Sequence, residues 1–239
     1  VLVQIPLLIG MQRNDKKSAR IYAGKYQADM IISDNRYGFY CSDVPSILVT
    51  HQVWPLFPFF KTVLHRWFEK RIYPRFAEIW VPDHRDEQKK LSGILSGARN
   101  LPNIRYIGLL SVYAYVSHEH VPAERYDECW LLSGPENEQK RFFYELFRNH
   151  HVVAGNAGKR IAVCGTVPLN IKQNNIRYYP CPEPPVVKML LMSSEKVYAR
   201  IGYTTLMDAH VLGIMHKMHF SPTPGQTEQE YLFERHRKK

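Results

Sequence analysis

Ala199-Arg200-Ile201-Gly202-Tyr203-Thr204-Thr205-Leu206-Met207-Asp208 decides how this chain is read. After one short apolar segment comes its companion, Pro222-Thr223-Pro224-Gly225-Gln226-Thr227-Glu228-Gln229-Glu230-Tyr231-Leu232. The first stretch predicts a buried strand ending at Arg200, a sharp turn permitted by Gly202, and a helix through Leu206, Met207 and Val211 capped by Thr204 or Thr205. A strand, a glycine turn and a hydroxyl-capped helix start make an anion site, because unpaired N–H groups and the positive end of the helix dipole face whatever lies above the sheet. Asp208, one helical turn on, suits a ribose diol, since a carboxylate accepts from both hydroxyls. Gly213 ends the helix, and Ile214 to Ser221 reads as a returning strand. The Pro-Thr-Pro-Gly break then presents Gln226, Glu228, Gln229 and Glu230 on a loop able to meet several sugar hydroxyls at once.

Working outward, the same rhythm recurs. Asp127 to Leu132 predicts a strand entering Ser133-Gly134-Pro135, with a helix to about Asn149 carrying Phe142, Phe143, Leu146 and Phe147 on one side. Ser133 is its expected cap. Arg160–Cys164 and Asn175–Tyr179 read as strands, and Glu183–Ser193 as a helix with prolines at its start. Earlier in the chain, Ala28–Ser33, Pro45–Thr50, Ala77–Pro82 and Asn103–Gly108 are short, apolar strands of the kind buried in parallel sheets. The first two end in polar tips, Asp34-Asn35-Arg36 and His51-Gln52. Ligands of open α/β sheets collect at such carboxy ends. Val1 to Lys25 predicts an amphipathic helix interrupted near Gly10. Leu109 to Arg125 loses periodicity and is the expected linker, dividing the chain into domains 1–122 and 123–239.

Composition narrows the function. The 239 residues carry a formal charge of +10, which calls for anionic partners such as nucleotide phosphates or an acidic membrane surface. Cys41, Cys129, Cys164 and Cys181 are scattered without a Cys-x-x-Cys pair and read as thiols of a reducing, cytoplasmic compartment. No apolar run reaches the roughly 18–20 residues of a membrane span, and no signal peptide is recognisable. Trp54 to Phe76 interleaves aromatics with Lys61, His65, Arg66, Lys70, Arg71 and Arg75, the ingredients of an element lying on an acidic membrane. The competing reading is a helix with one face in the core and a solvated basic face. Nucleic-acid binding is set aside, because no RNA-binding signature accompanies the basic residues.

The quoted stretches resemble the carboxy-terminal domain of the family 28 glycosyltransferases, GT-B enzymes related to the peptidoglycan N-acetylglucosaminyltransferase. Arg200, Gly202, Thr205, Asp208, Pro222, Gln229 and Glu230 stand at positions matching that family's pattern. The form of the motifs is more similar to a little-characterised bacterial branch. Ile201 departs from the usual small hydroxyl residue, and Phe233 replaces an Asn that touches the sugar. The resemblance implies an α/β, GT-B-like fold of two Rossmann-like domains with parallel sheets, the first represented by its second half. It implies transfer of a sugar from a nucleotide donor, expected to be UDP-linked, to an acceptor hydroxyl that is often lipid-linked. Ser133, Gly134, Arg200, Gly202, Thr204, Thr205, Asp208, Gln226, Gln229 and Glu230 would then bind the donor, with Arg200 either touching it or bracing the loop. Asp34, Asn35, Arg36 and His51 would lie on the acceptor side, His51 being a candidate base by position alone. Such transfer needs no metal or other cofactor when a helix dipole and basic groups carry the leaving diphosphate. It also implies a cytoplasmic enzyme working at the inner face of the membrane.

Two alternatives stand beside this reading. A nucleotide-sugar epimerase of the same fold would need paired acid and base carboxylates, of which the first domain offers Asp34. A donor-binding subunit would work with a second polypeptide. Metal chemistry is set aside: His118-x-His120 and His216-x-x-His219 lack carboxylate or Cys partners at structural-site spacing.

Overall fold

Nine strands and six α-helices lie among the described residues, and both sheets are parallel throughout. The structure is a computed structural model describing residues 4–56, 61–97, 101–116, 124–149, 158–169, 171 and 173–237. The chain divides into two units, Val1–Leu110 and Ser111–Lys239. The expected division at 122/123 falls outside the described residues.

In the first unit, helix α1 (Gln4–Tyr26) leads into β1 (Ile31–Asp34), β2 (Ser46–Val49), β3 (Glu78–Val81) and β4 (Ile104–Tyr106), which lie in sequential order. α1 runs on through Gly10, where a break is expected. Its small residues Ala19 and Ala23 let it pack closely against Ile31 and Cys41. β2 is buried along its whole length, as a strand between two parallel neighbours must be. The basic aromatic stretch becomes α2 (Lys61–Trp67), a wider π-helical turn over Phe68–Ile72 and a 3₁₀ turn at Tyr73–Arg75. Pro74 cannot donate a backbone bond, which suits it to this tightening end. Ile72, Tyr73 and Phe76 pack with Leu48, Val53, Ile79 and Val81 in the core.

After β3 the chain forms a loop organised by one carboxylate. Asp83 is fully buried. It accepts five hydrogen bonds: from the backbone N–H of His84, Leu91 and Ser92, and from the hydroxyls of Ser92 and Ser96. Burial pushes its pKa up, but the Ser92 hydroxyl and the backbone donors outweigh that and hold it below the ordinary Asp value. The loop therefore reads as polar in sequence yet folds over a charged centre.

In the second unit, β5 (Tyr126–Leu131), β6 (Ile161–Gly165), β7 (Ile176–Pro180), β8 (Ser194–Arg200) and β9 (Met218–Ser221) form a sheet ordered β7-β6-β5-β8-β9. Alternate residues of the central strands feed two cores. Trp130, Ile161 and Val163 meet Phe142, Phe143 and Leu146 of α3 (Glu136–Phe147). Cys129, Ala162, Cys164 and Val197 meet Leu190 and Leu191 of α4 (Pro184–Ser193) and Ala209 of α5 (Tyr203–Val211). Each fully buried large apolar side chain contributes about 1.5–3 kcal/mol. The last helix, α6, spans Thr227–Arg237.

Three local expectations are corrected. α3 begins after Pro135, not after a Ser133 cap, because proline's fixed φ already suits a helix start. α5 is capped by Gly202, so Thr204 and Thr205 lie inside the first turn. Gly202 has φ −106°, a conformation any residue adopts, so the turn itself does not require a glycine there. The expected strand Ile214–Ser221 is a 3₁₀ turn at Met215–Lys217 followed by β9, because Gly213 at φ +68° closes α5 and Ile214 N–H returns to Ala209 O.

Candidate functional site

The strand order of the second sheet positions the site. The chain lays β5, β6 and β7 outward in one direction, then returns to place β8 on the other side of β5. That reversal is a topological switch point, where the loops leaving two neighbouring strands diverge and open a crevice at their carboxy ends. β5 and β8 pair with Leu131 beside Ala199. The loops leaving them are Ser133-Gly134 and Ile201-Gly202, so two segments singled out from distant parts of the sequence leave adjacent strands. Gly134 adopts φ +90°, a left-handed conformation that favours glycine.

The α5 start supplies the electrostatics. Its first-turn N–H groups have no acceptor within the helix, and no acidic residue occupies that turn. Thr204 is exposed and Thr205 half-buried there. α3 starts beside the same crevice but carries Glu136 and Glu138 in its first turn, which oppose an anion. The α5 side is therefore the better phosphate seat.

Asp208 sits on α5 half-buried, and its Oδ1 accepts from the buried Ser111 hydroxyl at 2.6 Å. Burial holds its pKa above the ordinary Asp range, while the Ser111 hydrogen bond pulls the other way. Ser111 also caps the 3₁₀ turn Val112–Ala114 through Tyr113 N–H at 3.2 Å. Burial, with Asp208 nearby, raises the Tyr113 phenol well above its ordinary value.

Arg200 is a brace. It is 5% exposed, and its guanidinium donates to Glu145 at 2.7 Å and to Ser221 Oγ and Pro222 O, both at 3.0 Å. It also lies over the Phe142 ring at 4.3 Å. It ties α3 to the Pro222–Gly225 loop. Gln229 and Glu230 lie in the first turn of α6 and shape that same loop: Gln229 Oε1 accepts from Thr223 N–H at 2.8 Å and Glu230 Oε1 from Gly225 N–H at 3.1 Å. Gln226 immediately precedes the helix and is exposed. These residues fall into two groups, Ser133, Gly134, Gly202, Thr204 and Thr205 at the switch point, and Gln226, Gln229 and Glu230 beyond β9.

In the first unit the polar tips are drawn together by side chains. Thr50 Oγ1 donates to Asn35 Oδ1 at 2.9 Å, and Tyr37 OH donates to Gln52 O at 3.0 Å. Asn35 takes φ +52°, which its short amide tolerates. Arg36 pairs with Asp15 of α1. Asp34 ends β1 exposed, and His51, half-buried, lies 3.4 Å from Gln52 Nε2. The network joins Asn35 to the loop that carries His51. On the α2 segment, Val63 and Trp67 are exposed beside exposed Arg66, Lys70 and Arg71, while Trp54 stacks on the buried His65 at 3.5 Å.

Among the described residues no helix is long and apolar enough to cross a membrane. His118 and His120 lie outside those residues. His216 lies in the 3₁₀ turn before β9, and His219, within β9, stacks on Tyr198 at 4.8 Å.

Sequence reading passed over four residues that the structure makes important: Ser111, Glu145, Gln139 and Thr166. The first two bind expected site residues from distant elements and leave no local signal. Thr166 follows a buried strand as part of Gly165-Thr166, a signal that was legible.

No protein-family model and no curated protein matches this sequence. Solved structures do resemble it. S. aureus MnaA, in a co-structure with UDP, matches 95% of this chain and 70% of its own length at TM-score 0.58 and 10% identity. The fold is GT-B-like. The glycosyltransferase SnogD from Streptomyces nogalater matches 93% of this chain and 70% of its own at TM-score 0.50 and 11% identity. At these identities the likeness is one of fold, an α/β chain with two parallel sheets.

Proposed function

We propose that this chain is a family 28-type glycosyltransferase that moves a sugar from a UDP-linked donor to an acceptor hydroxyl. The carrying observation is the switch point between β5 and β8, which brings Ser133-Gly134 beside the acid-free start of α5. The diphosphate sits over that start, held by its N–H groups and by Thr204 and Thr205. The ribose meets Asp208 through the oxygen opposite the one Ser111 holds. The sugar lies toward Gln226, Gln229 and Glu230. A GT-B-like fold holding UDP in the MnaA co-structure supports the nucleotide class.

The acceptor approaches Asp34, Asn35, Arg36 and His51 in the first unit, and His51 is the candidate base for its hydroxyl. A lipid-linked acceptor gives the exposed Val63, Arg66, Trp67, Lys70 and Arg71 face a purpose: cations meet anionic headgroups and the two apolar side chains enter the interface. The enzyme then works at the cytoplasmic face of a membrane.

Calorimetric titration of UDP tests the reading. The wild-type chain binds at micromolar concentration, and Asp208→Asn weakens binding about tenfold by removing a charge-assisted hydrogen bond. A folded wild-type sample that binds no UDP would sink the donor assignment.

A further inference from the structure

Two side chains tie the segment after Leu110 to the body of the second unit, and one of them holds a residue of the candidate site. Ser111 begins that unit. It is buried, and its hydroxyl stands between two elements. The proton goes to Asp208 Oδ1 of α5 at 2.6 Å, while Tyr113 N–H donates to the hydroxyl oxygen at 3.2 Å. The second bond opens the 3₁₀ turn Val112–Ala114, which Ala114 N–H to Ser111 O at 3.3 Å and Tyr115 N–H to Val112 O at 3.1 Å complete. The turn lies against both α4 and α5. The other tie is Lys188 of α4, 6% exposed, which donates to Val116 O at 2.6 Å.

The two ties differ in what else they meet. Lys188 has no part in the donor reading, whereas Asp208 does. Ser111 takes one oxygen of the Asp208 carboxylate, and among the described residues no donor reaches the other. A carboxylate fixed through one oxygen surrenders little further freedom when a hydroxyl binds the second. Such coupling is reciprocal: whatever the Ser111 bond adds to nucleotide affinity, the nucleotide returns to that bond and to the turn built on it. We propose that the 3₁₀ turn Val112–Ala114 is coupled to nucleotide binding through Ser111, so that an occupied site fastens the segment that opens the second unit. This rests on the nucleotide-binding reading above and adds a conformational response to it. Asp208 is the contact residue and Ser111 the positioning residue. The charge balance acts in the same direction: burial favours neutral Asp208, and the Ser111 hydroxyl favours the carboxylate that accepts from a diol.

The test is amide hydrogen exchange at Tyr113, Ala114 and Tyr115, with and without saturating UDP. In wild type UDP slows these amides about tenfold, an ordinary strength for coupling between two sites. Ser111→Ala binds UDP about tenfold more weakly and, at saturation, loses that slowing. Ser111→Thr keeps the hydroxyl and regains both. Lys188→Met removes the other tie, so it speeds exchange at Tyr115 in both states and leaves the UDP effect at Tyr113 and Ala114 intact. With a purely structural Ser111, UDP would slow these amides in Ser111→Ala as much as in wild type, because a ligand that stabilises the whole fold acts without this hydroxyl. That result, or exchange indifferent to UDP in a wild-type chain that binds it, overturns the inference while the donor assignment stands. Should Ser111→Ala fail to fold, the wild-type comparison carries the test. If wild type binds no UDP, the donor reading fails and this inference with it.

Discussion

The two parallel sheets treat their carboxy edges differently. In the first unit the order β1-β2-β3-β4 follows the chain, so every connection steps the same way. The loops at its edge are closed by their own side chains: Asn35, Tyr37, Thr50 and Gln52 bind one another, and the loop after β3 wraps Asp83. In the second unit the order reverses at β5 and β8, and the loops there diverge. Polar residues at strand ends occur in both. Side-chain hydrogen bonds also tie loops of the second edge, Gln139 holding Gly134 and Thr166 and Arg200 holding Pro222, so the difference between the two edges lies in strand order, more than in loop composition.

The largest expected effect lies on the closed side. Asp83→Asn replaces an acceptor with an amide N–H₂ facing donors, and costs about 2–4 kcal/mol at neutral pH, read by urea denaturation. The sign with pH follows from the lowered pKa. The wild-type carboxylate adds stability above the ordinary value of 3.8, and that contribution is lost as pH falls through the lowered one. The gap between wild type and variant therefore shrinks in acid. UDP affinity stays unchanged at pH 7, and a large loss of UDP affinity in a folded Asp83→Asn would break the contrast between the units. A smaller effect sharpens it. Replacing both Lys70 and Arg71 with Gln removes about 2 kcal/mol of attraction to phosphatidylserine vesicles, near thirtyfold in sedimentation binding, with UDP binding intact. Equal vesicle binding by wild type and variant would refute a membrane face on α2 and the π-helical turn that follows it.

Much of the fold was legible. Continuous apolar runs such as Ile161–Gly165 identify central parallel strands, because both faces must be buried. The boundaries of α4 and β5 to β8 follow to within a residue from periodicity and proline placement, while α3 starts two residues later than the expected Ser133 cap implies. The site was legible as a set of residues but not as an arrangement. Arg200 reads equally as a ligand contact or a brace. Its burial between Glu145 and Pro222 depends on a helix 55 positions earlier in the chain. Gln229 and Glu230 read as loop residues because the Pro-Thr-Pro-Gly break hides the helix that starts at Thr227. Gln139 was invisible for a related reason: a glutamine on an amphipathic helix looks solvated until two loops close over it. Asp83 follows the same rule, since its donors come from residues at 84, 91, 92 and 96.

The most direct measurement of the central claim is a titration of ¹⁵N-labelled protein with UDP, followed by amide chemical shifts. The account predicts saturable shifts at Gly134, Gly202, Thr204 and Thr205, with the amides of Asn35, Thr50 and Ser92 unmoved. Shifts concentrated at Asn35 and Thr50, or a spectrum unchanged at millimolar UDP, would contradict it.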